Sequence, residues 1–318
     1  MQYRPLGQSG LSIAPLMLGG NVFGWTADLR TSHLLLDRFV GAGFNAIDTA
    51  DVYSAWIPNN TGGDSEKVIG AWLSARGRRD DVVIATKVGM WPKQPGLSKA
   101  NIIAACEGSL QRLRTDYIDL YQSHQDDAAT PQDETMEAFA SLVKAGKVRA
   151  IGASNFTVDR LASAQRAAAD AGLPRYDTLQ PEYNLVARVE FEAGPQQWCL
   201  DNGVSVIPFF GLASGFLTGK YRVENDLVGR ARASRVGKYL NARGLEVLGA
   251  LDAVAARHGA TAGQIALAWL MIRPAIAAPI ASATSEAQLS QLIGAVNVHL
   301  SHEDIWDLDR ASAIDAEP

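Results

Sequence analysis

The sequence predicts an α/β protein, a closed (β/α)8 barrel of the TIM type. Three observations lead there. Eight short β-prone runs alternate with amphipathic segments along the 318 residues, the order expected of parallel strands joined by crossover helices. Several runs are almost continuously apolar, as strands covered on their outer faces must be. Polar and titratable residues cluster at the C-terminal ends of these runs, where a barrel's βα-loops build a site.

Each element follows from local pattern. Tyr3 to Ile13 reads as a hairpin, with Ser9-Gly10 as the turn between two β-prone pieces. The eight strands are expected at Met17–Gly19, Asn45–Asp48, Val82–Thr86, Tyr117–Tyr121, Arg149–Ala153, Asp177–Gln180, Val204–Phe209 and Ala277–Ile280. Helical patterns lie between them, among others Asp64–Ala75, Lys99–Arg114 and Thr157–Ala171. Asp64 and Glu66 stand at a helix start, where the dipole favours acids. Gly41-Ala42-Gly43-Phe44-Asn45-Ala46 matches a dinucleotide fingerprint in letters, but it closes a helix and precedes a strand. It reads as a helix stop. Gly211 to Lys238 is too long for an ordinary connection, and loops of that length are often functional.

Composition bounds the rest. Hydrophobic residues make up 47% and charged residues 20%, as in ordinary globular chains. A net charge of −5 gives no general attraction to nucleic acid or anionic lipid. Two cysteines are too few for a disulfide framework. The most apolar run, Ile265 to Ile272, is far short of the ~20 residues that cross a bilayer. The N-terminus shows no signal-peptide pattern. A cytoplasmic protein forming one domain over residues 1–318 is expected, with no oligomeric state specified.

The strand ends carry Gly20-Asn21, Asp48, Lys87, His124, Ser154-Asn155, Gln180 and Phe209, with Tyr53 in the loop after Asp48. A phenol with a free pKa of about 10 is a weak acid, and a neighbouring ammonium eases its deprotonation. Lys87 can supply that charge, Asp48 can hold Lys87 by ion pairing, and His124 can orient a carbonyl oxygen or relay a proton. Such a group suits proton donation to a carbonyl oxygen. Reduction also needs a hydride donor, which no side chain provides. Ser154, Asn155 and Gln180 can hydrogen-bond a nicotinamide carboxamide, and Phe209 can stack on its ring. Gly215, Leu217, Lys220 and Arg222 can cover a pyrophosphate. Trp25, Trp56 and Trp91, in loops beyond strand ends, can wall an apolar pocket for a small carbonyl or alcohol substrate.

The segments Asp48-Thr49-Ala50-Asp51-Val52-Tyr53, Ala85-Thr86-Lys87, Ser123-His124, Gly152-Ala153-Ser154-Asn155-Phe156 and Gln180-Pro181-Glu182-Tyr183-Asn184 resemble the aldo-keto reductase superfamily. So does Leu212-Ala213-Ser214-Gly215-Phe216-Leu217-Thr218-Gly219-Lys220-Tyr221. The resemblance runs from Tyr3 to about Leu292, in family order, and looks closest to bacterial, broad-range members. It implies reversible, metal-free hydride transfer from NAD(P)H to aldehydes or ketones. Tyr53 would be the general acid, Lys87 would lower its pKa, Asp48 would pair with Lys87, and His124 would orient the carbonyl. Gly20, Ser154, Asn155, Gln180, Phe209, Leu212, Ser214, Gly215, Leu217, Lys220, Ser282, Thr284 and Gln288 would bind the cofactor under the long loop. Asn21, Trp25, Trp56 and Trp91 would line the substrate pocket.

Departures matter too. Phe209 stands where relatives usually have Tyr, which keeps stacking and loses a hydroxyl. Ile280 to Gln288 holds no cation for the 2′-phosphate of NADPH, and Glu286 would repel it. NADP(H) is the family default, and NAD(H) becomes a serious alternative. Ser123-His124-Gln125-Asp126 replaces a His-Pro-like sequence and is expected to reshape one pocket wall. Arg230, Arg232, Arg235 and Lys238 fit either a solvated loop face or a phosphate contact. The histidines, His299 and His302 included, lack metal-ligand spacing. Phe156 stands where a nucleophile elbow needs Gly. Two other readings remain beside the reductase: a cofactor-sensing binding subunit without turnover, like the barrel subunits of potassium channels, and a Lys87 Schiff-base aldolase. The aldolase leaves Tyr53, Gln180 and Phe209 without roles.

Overall fold

The computed structural model describes residues 1–230 and 232–313. It opens with an antiparallel hairpin of β1 (Arg4–Pro5) and β2 (Ser12–Ile13). Eight parallel strands follow: β3 (Met17–Gly19), β4 (Ala46–Asp48), β5 (Val83–Val88), β6 (Ile118–Ser123), β7 (Val148–Ser154), β8 (Tyr176–Gln180), β9 (Ser205–Val206) and β10 (Ile280–Ala281). β3 to β9 pair in chain order, and β10 pairs with β3. Three backbone hydrogen bonds close the ring: Val206 N to Ala275 O (2.8 Å), Ala277 N to Val206 O (2.8 Å) and Ile280 N to Pro208 O (2.9 Å). The expected (β/α)8 barrel is therefore the fold.

Helices α1 (Leu29–Gly41), α2 (Asp64–Arg76), α3 (Lys99–Leu113), α4 (Gln132–Lys144) and α5 (Val158–Asp170) fill the first crossovers. The short α6 (Val189–Glu192) and α7 (Pro195–Asp201) follow β8, and α8 (Ala233–Val236) sits in the long loop. Then come α9 (Ala242–His258), α10 (Ala262–Met271), α11 (Glu286–Gly294) and α12 (His302–Ala311). Side-chain caps mark helix starts: Thr157 Oγ accepts from Arg160 N at α5, as the Thr157–Ala171 pattern suggests, and Thr261 with Gln264 forms a capping box at α10. As expected, Gly41-Ala42-Gly43 ends a helix. Gly43 takes φ +90° and its N–H bonds back to Val40 O.

Two strand expectations need shortening. Val204–Phe209 and Ala277–Ile280 reduce to two-residue ladders, because Pro208 and Pro279 have no N–H to donate. Glu66 also departs from expectation. Asp64 binds the N–H groups of Thr61 and Gly62 ahead of α2, but Glu66 is fully buried and serves the interior.

The barrel's inside is apolar at its lower end. Leu6, Leu11 and Ile13 of the hairpin join Met17, Ala46, Val83, Leu120 and Ile207 in one cluster. Polar contacts fasten this plug to the N-terminal ends of the strands. Gly7 N donates to Ser205 Oγ (2.8 Å), Gln8 N to Asp177 Oδ1 (3.0 Å), and Arg4 Nη1 to Met271 O (2.8 Å). The second, larger cluster lies between strands and helices. With the bottom sealed, the upper mouth is left for chemistry.

Candidate active site

The chain leaving β4 stays on β5 before it turns. Thr49 N donates to Ala85 O (2.8 Å), Asp51 N to Lys87 O (3.3 Å), and Tyr53 N to Ala50 O (3.2 Å). This tight return brings the Tyr53 hydroxyl above Lys87. Lys87 is fully buried on β5. Its Nζ lies 2.7 and 2.8 Å from Asp48 Oδ1 and Oδ2, and it donates to Thr49 O (2.8 Å) and Tyr53 Oη (2.9 Å). Tyr53 Oη in turn donates to Asp48 Oδ2 (3.1 Å), and Gln180 Nε2 donates to Asp48 Oδ1 (3.0 Å). The ring of His124 meets that of Tyr53 edge-on, with centroids 5.9 Å apart. The four residues expected to converge do so.

Burial dominates the electrostatics. It lowers the Lys87 pKa, against the opposing pull of the Asp48 carboxylate. Burial, then the Asp48 charge, holds the Tyr53 hydroxyl well above the ordinary phenol value. In the resting site, desolvation and the Asp48 charge set the direction for Tyr53. His124 is pushed well below the usual imidazole value by burial and by Lys87, so its ring is neutral near pH 7. Its Nδ1 is buried without a partner among the described residues.

An aromatic wall continues from Tyr53. Trp56 packs on it at 6.2 Å, and Trp25 meets Trp56 edge-on at 5.7 Å. Trp56, 48% exposed, stands at the mouth. Arg232, from the long loop, lies over the Trp25 ring at 5.7 Å, while Arg230, Arg235 and Lys238 are exposed. Trp91 takes a different place: its ring lies against Gly62 and beneath the Arg112 guanidinium (5.9 Å). Asn21, expected in the pocket, accepts from Ser282 Oγ (2.6 Å) and so ties β3 to β10. Asp126 pairs with Arg160 (2.8 Å), which fixes the loop after His124.

A row of polar groups crosses the rim. Ser154 Oγ donates to Gln180 O (2.8 Å), and Asn155, at φ +56°, donates to His124 O (2.9 Å). Phe209 meets Phe210 edge-on at 5.0 Å. Beyond it, Ala213, Ser214 and Gly215 take φ values of 47°, 59° and 100° in succession. Lys220 Nζ would stand 3.5 Å from a Cβ placed on Gly215. Such a turn with an adjoining ammonium fits an anionic group such as a pyrophosphate. Leu212 and Leu217 pack this turn onto the apolar cluster. Arg222 is engaged elsewhere, with Gly219 O and Asp252. Gly20 lies tight under the site, where a Cβ would meet Asp48 O and Ser65 Oγ at 2.9 Å. After β10, Thr284 N and Oγ1 donate to Gln288 Oε1 (2.9 and 3.1 Å). Glu286 is paired with Arg38 (3.1 Å), a cation from α1 that inspection of Ile280 to Gln288 alone misses.

Sequence reading also misses the layer behind Lys87. Glu66 Oε1 accepts from Thr86 Oγ1 (2.6 Å) and Oε2 from Arg112 Nε (2.6 Å), with Asp51 buried beside them. Asp51 lies within the segment that carries the resemblance, and its charge inside an apolar crossover was the available signal. Glu66 and Arg112, on helices, gave none.

The pattern of the aldo/keto reductase family matches residues 15–313. A Bacillus subtilis protein named Uncharacterized oxidoreductase YrpG is 36% identical over 313 residues, covering 95% of this chain and 93% of the relative. Aldo-keto reductase YhdN of the same organism is 32% identical, covering 97% and 93%. An Arabidopsis thaliana protein named Probable voltage-gated potassium channel subunit beta is 32% identical, covering 94% and 92%. With the barrel, the family pattern and these relatives in agreement, the chain belongs to the aldo/keto reductase family of oxidoreductases.

Proposed function

We propose that the protein reduces aldehydes or ketones to alcohols, reversibly, with NAD(P)H as cofactor and Tyr53 as general acid. The observation that carries this reading is the Lys87 ammonium, held 2.7 Å from Asp48 and 2.9 Å from the Tyr53 hydroxyl at the barrel mouth. A reduced nicotinamide, when bound, supplies the hydride. Ser154, Asn155 and Gln180 would hold its carboxamide, Phe209 would face its ring, and the 213–215 turn with Lys220 would hold its phosphates. Neutral His124 donates a hydrogen bond to the carbonyl oxygen and orients it over Tyr53. Tyr53 then gives its proton to that oxygen. Lys87 stabilises the negative charge left on the phenol oxygen, so the ammonium acts where charge develops rather than on the resting hydroxyl. Asp48 fixes the ammonium in place. Trp25 and Trp56 exclude water and favour an apolar or aromatic carbonyl.

The Arg38–Glu286 pair reduces the repulsion expected from Glu286 and leaves no free cation on the 280–288 segment. Use of both NADPH and NADH follows. The aldolase reading loses ground because Lys87 Nζ is committed to Asp48, Thr49 and Tyr53, which leaves it turned away from a substrate carbonyl. The relative named as a channel subunit favours one further reading, a cofactor-sensing role. A panel of carbonyls and alcohols tested with each cofactor separates them. Cofactor consumption supports the reductase, whereas tight cofactor binding with no turnover on any of the panel supports the sensor.

A further inference from the structure

Asp51 sits in the turn between Asp48 and Tyr53 and is fully buried. Neither of its carboxyl oxygens meets a side-chain hydrogen-bond partner among the described residues, and the backbone N–H of Val52 is the one donor that acts on it. The charged and titratable groups facing it are Glu66 from α2, Arg112 from α3, Lys87 from β5, Tyr121 from β6 and Tyr53 from its own turn. Both cations are engaged elsewhere: Arg112 with Glu66, and Lys87 with Asp48, Thr49 and Tyr53. An ionised Asp51 would therefore be an unpaired charge in the interior beside a second carboxyl group. A carboxyl so placed keeps its proton.

We propose that Asp51 is a positioning residue that must remain a neutral acid for the Lys87–Tyr53 pair to donate its proton, and that its ionisation switches the pair off at alkaline pH. The inference rests on Tyr53 being the proton donor. A negative charge at Asp51 would offset the Lys87 ammonium and oppose the charge that grows on the Tyr53 oxygen. Burial, then the Glu66 charge, raises the Asp51 pKa to about 8, which puts the switch within reach of experiment.

The test compares wild type with Asp51→Asn. Reduction kcat/KM of the wild type should fall about tenfold per pH unit beyond a midpoint near 8. The variant, normalised to its own rate at acid pH, should lack that midpoint. The same midpoint in both proteins would overturn the proposal. Melting curves without substrate or cofactor provide an independent reading. The folded-state pKa of Asp51 lies above its unfolded value of about 3.9. Its contribution is therefore full below that value and lost as pH rises to about 8. Between these limits the folded-to-unfolded ratio of the wild type should drop about tenfold per pH unit relative to the variant. A difference that does not change with pH would contradict the inference. Absence of turnover in both proteins would instead count against the reductase reading. If the variant does not fold, infrared spectra of the wild type decide: a protonated carboxyl band present at pH 7 and lost by pH 9 supports the proposal, and its absence at pH 7 overturns it.

Discussion

The two ends of the barrel handle buried carboxyl groups in opposite ways: Asp177 and Asp119 near the lower end are partnered, and Asp51 at the upper end has no side-chain partner among the described residues. At the lower end the hairpin seals the interior with Leu6, Leu11 and Ile13, and the polar atoms of Arg4, Gly7 and Gln8 reach partners within 2.8 to 3.0 Å. At the upper end, Asp51 and His124 Nδ1 are buried without side-chain partners among the described residues, and Lys87 is buried against the Asp48 carboxylate. Backbone strain leans the same way. Ser54, Asn59, Asn155, Phe210, Ala213 and Ser214, in loops beyond the upper strand ends, take positive φ, against Arg114 and Ala275 at the lower end; this conformation is disfavoured for residues with a Cβ. The lower end is built for stability, and the upper end holds groups in states that only the surrounding fold maintains.

Substitutions at the two ends should therefore separate rate from stability. The largest effect is expected from Lys87→Met, which removes the ammonium beside Tyr53 and leaves Asp48 buried without its partner. Turnover should fall about 10²- to 10⁴-fold, with stability lowered by about 3–5 kcal/mol; kcat and denaturant midpoints measure both. Leu11→Ala, in the plug, should cost about 2–5 kcal/mol by denaturant melting and leave kcat and KM of the folded protein near wild type. A large rate loss there would break the comparison. Gly215→Ala should be smaller, because φ +100° suits glycine. A strain of about 1 kcal/mol should weaken cofactor binding about fivefold by fluorescence titration. The smallest effect is expected for Glu286→Lys, which replaces an exposed acid near the 2′-phosphate end. A surface charge worth about 0.2–1 kcal/mol should shift the NADPH-to-NADH ratio of kcat/KM toward NADPH by at most a few-fold.

The same contrast explains what could be read from sequence. Strand runs such as Met17–Gly19 and Val82–Thr86 were legible because burial on both faces leaves an apolar signature that side-chain partners do not alter. The convergence of Asp48, Lys87 and His124 was legible because titratable groups stand together at consecutive strand ends in order, although any one of them alone would read as a cap, a solvated charge or a core histidine. Strand ladders near Pro208 and Pro279 were overestimated because hydropathy does not register a missing N–H. Glu66 looked like a helix-start acid, and only the packing of α2 on α3 turns it inward to Arg112. Loop residues near a strand end can face either way, and the contacts of Trp91 with Gly62 and of Asn21 with Ser282 could not be read from sequence. The rise in the Tyr53 pKa was invisible because it comes from desolvation, a property of the folded site rather than of residue type.

The central claim is that the Tyr53 hydroxyl is the proton donor and contributes little to holding the cofactor. Tyr53→Phe tests it directly, by single-turnover reduction of a carbonyl substrate and nicotinamide titration on the same preparation. The claim predicts that reduction slows about 10²- to 10⁴-fold while cofactor affinity stays within about twofold, since the hydroxyl acts in the transition state. Retained reduction, or cofactor binding lost in step with it, would contradict the claim.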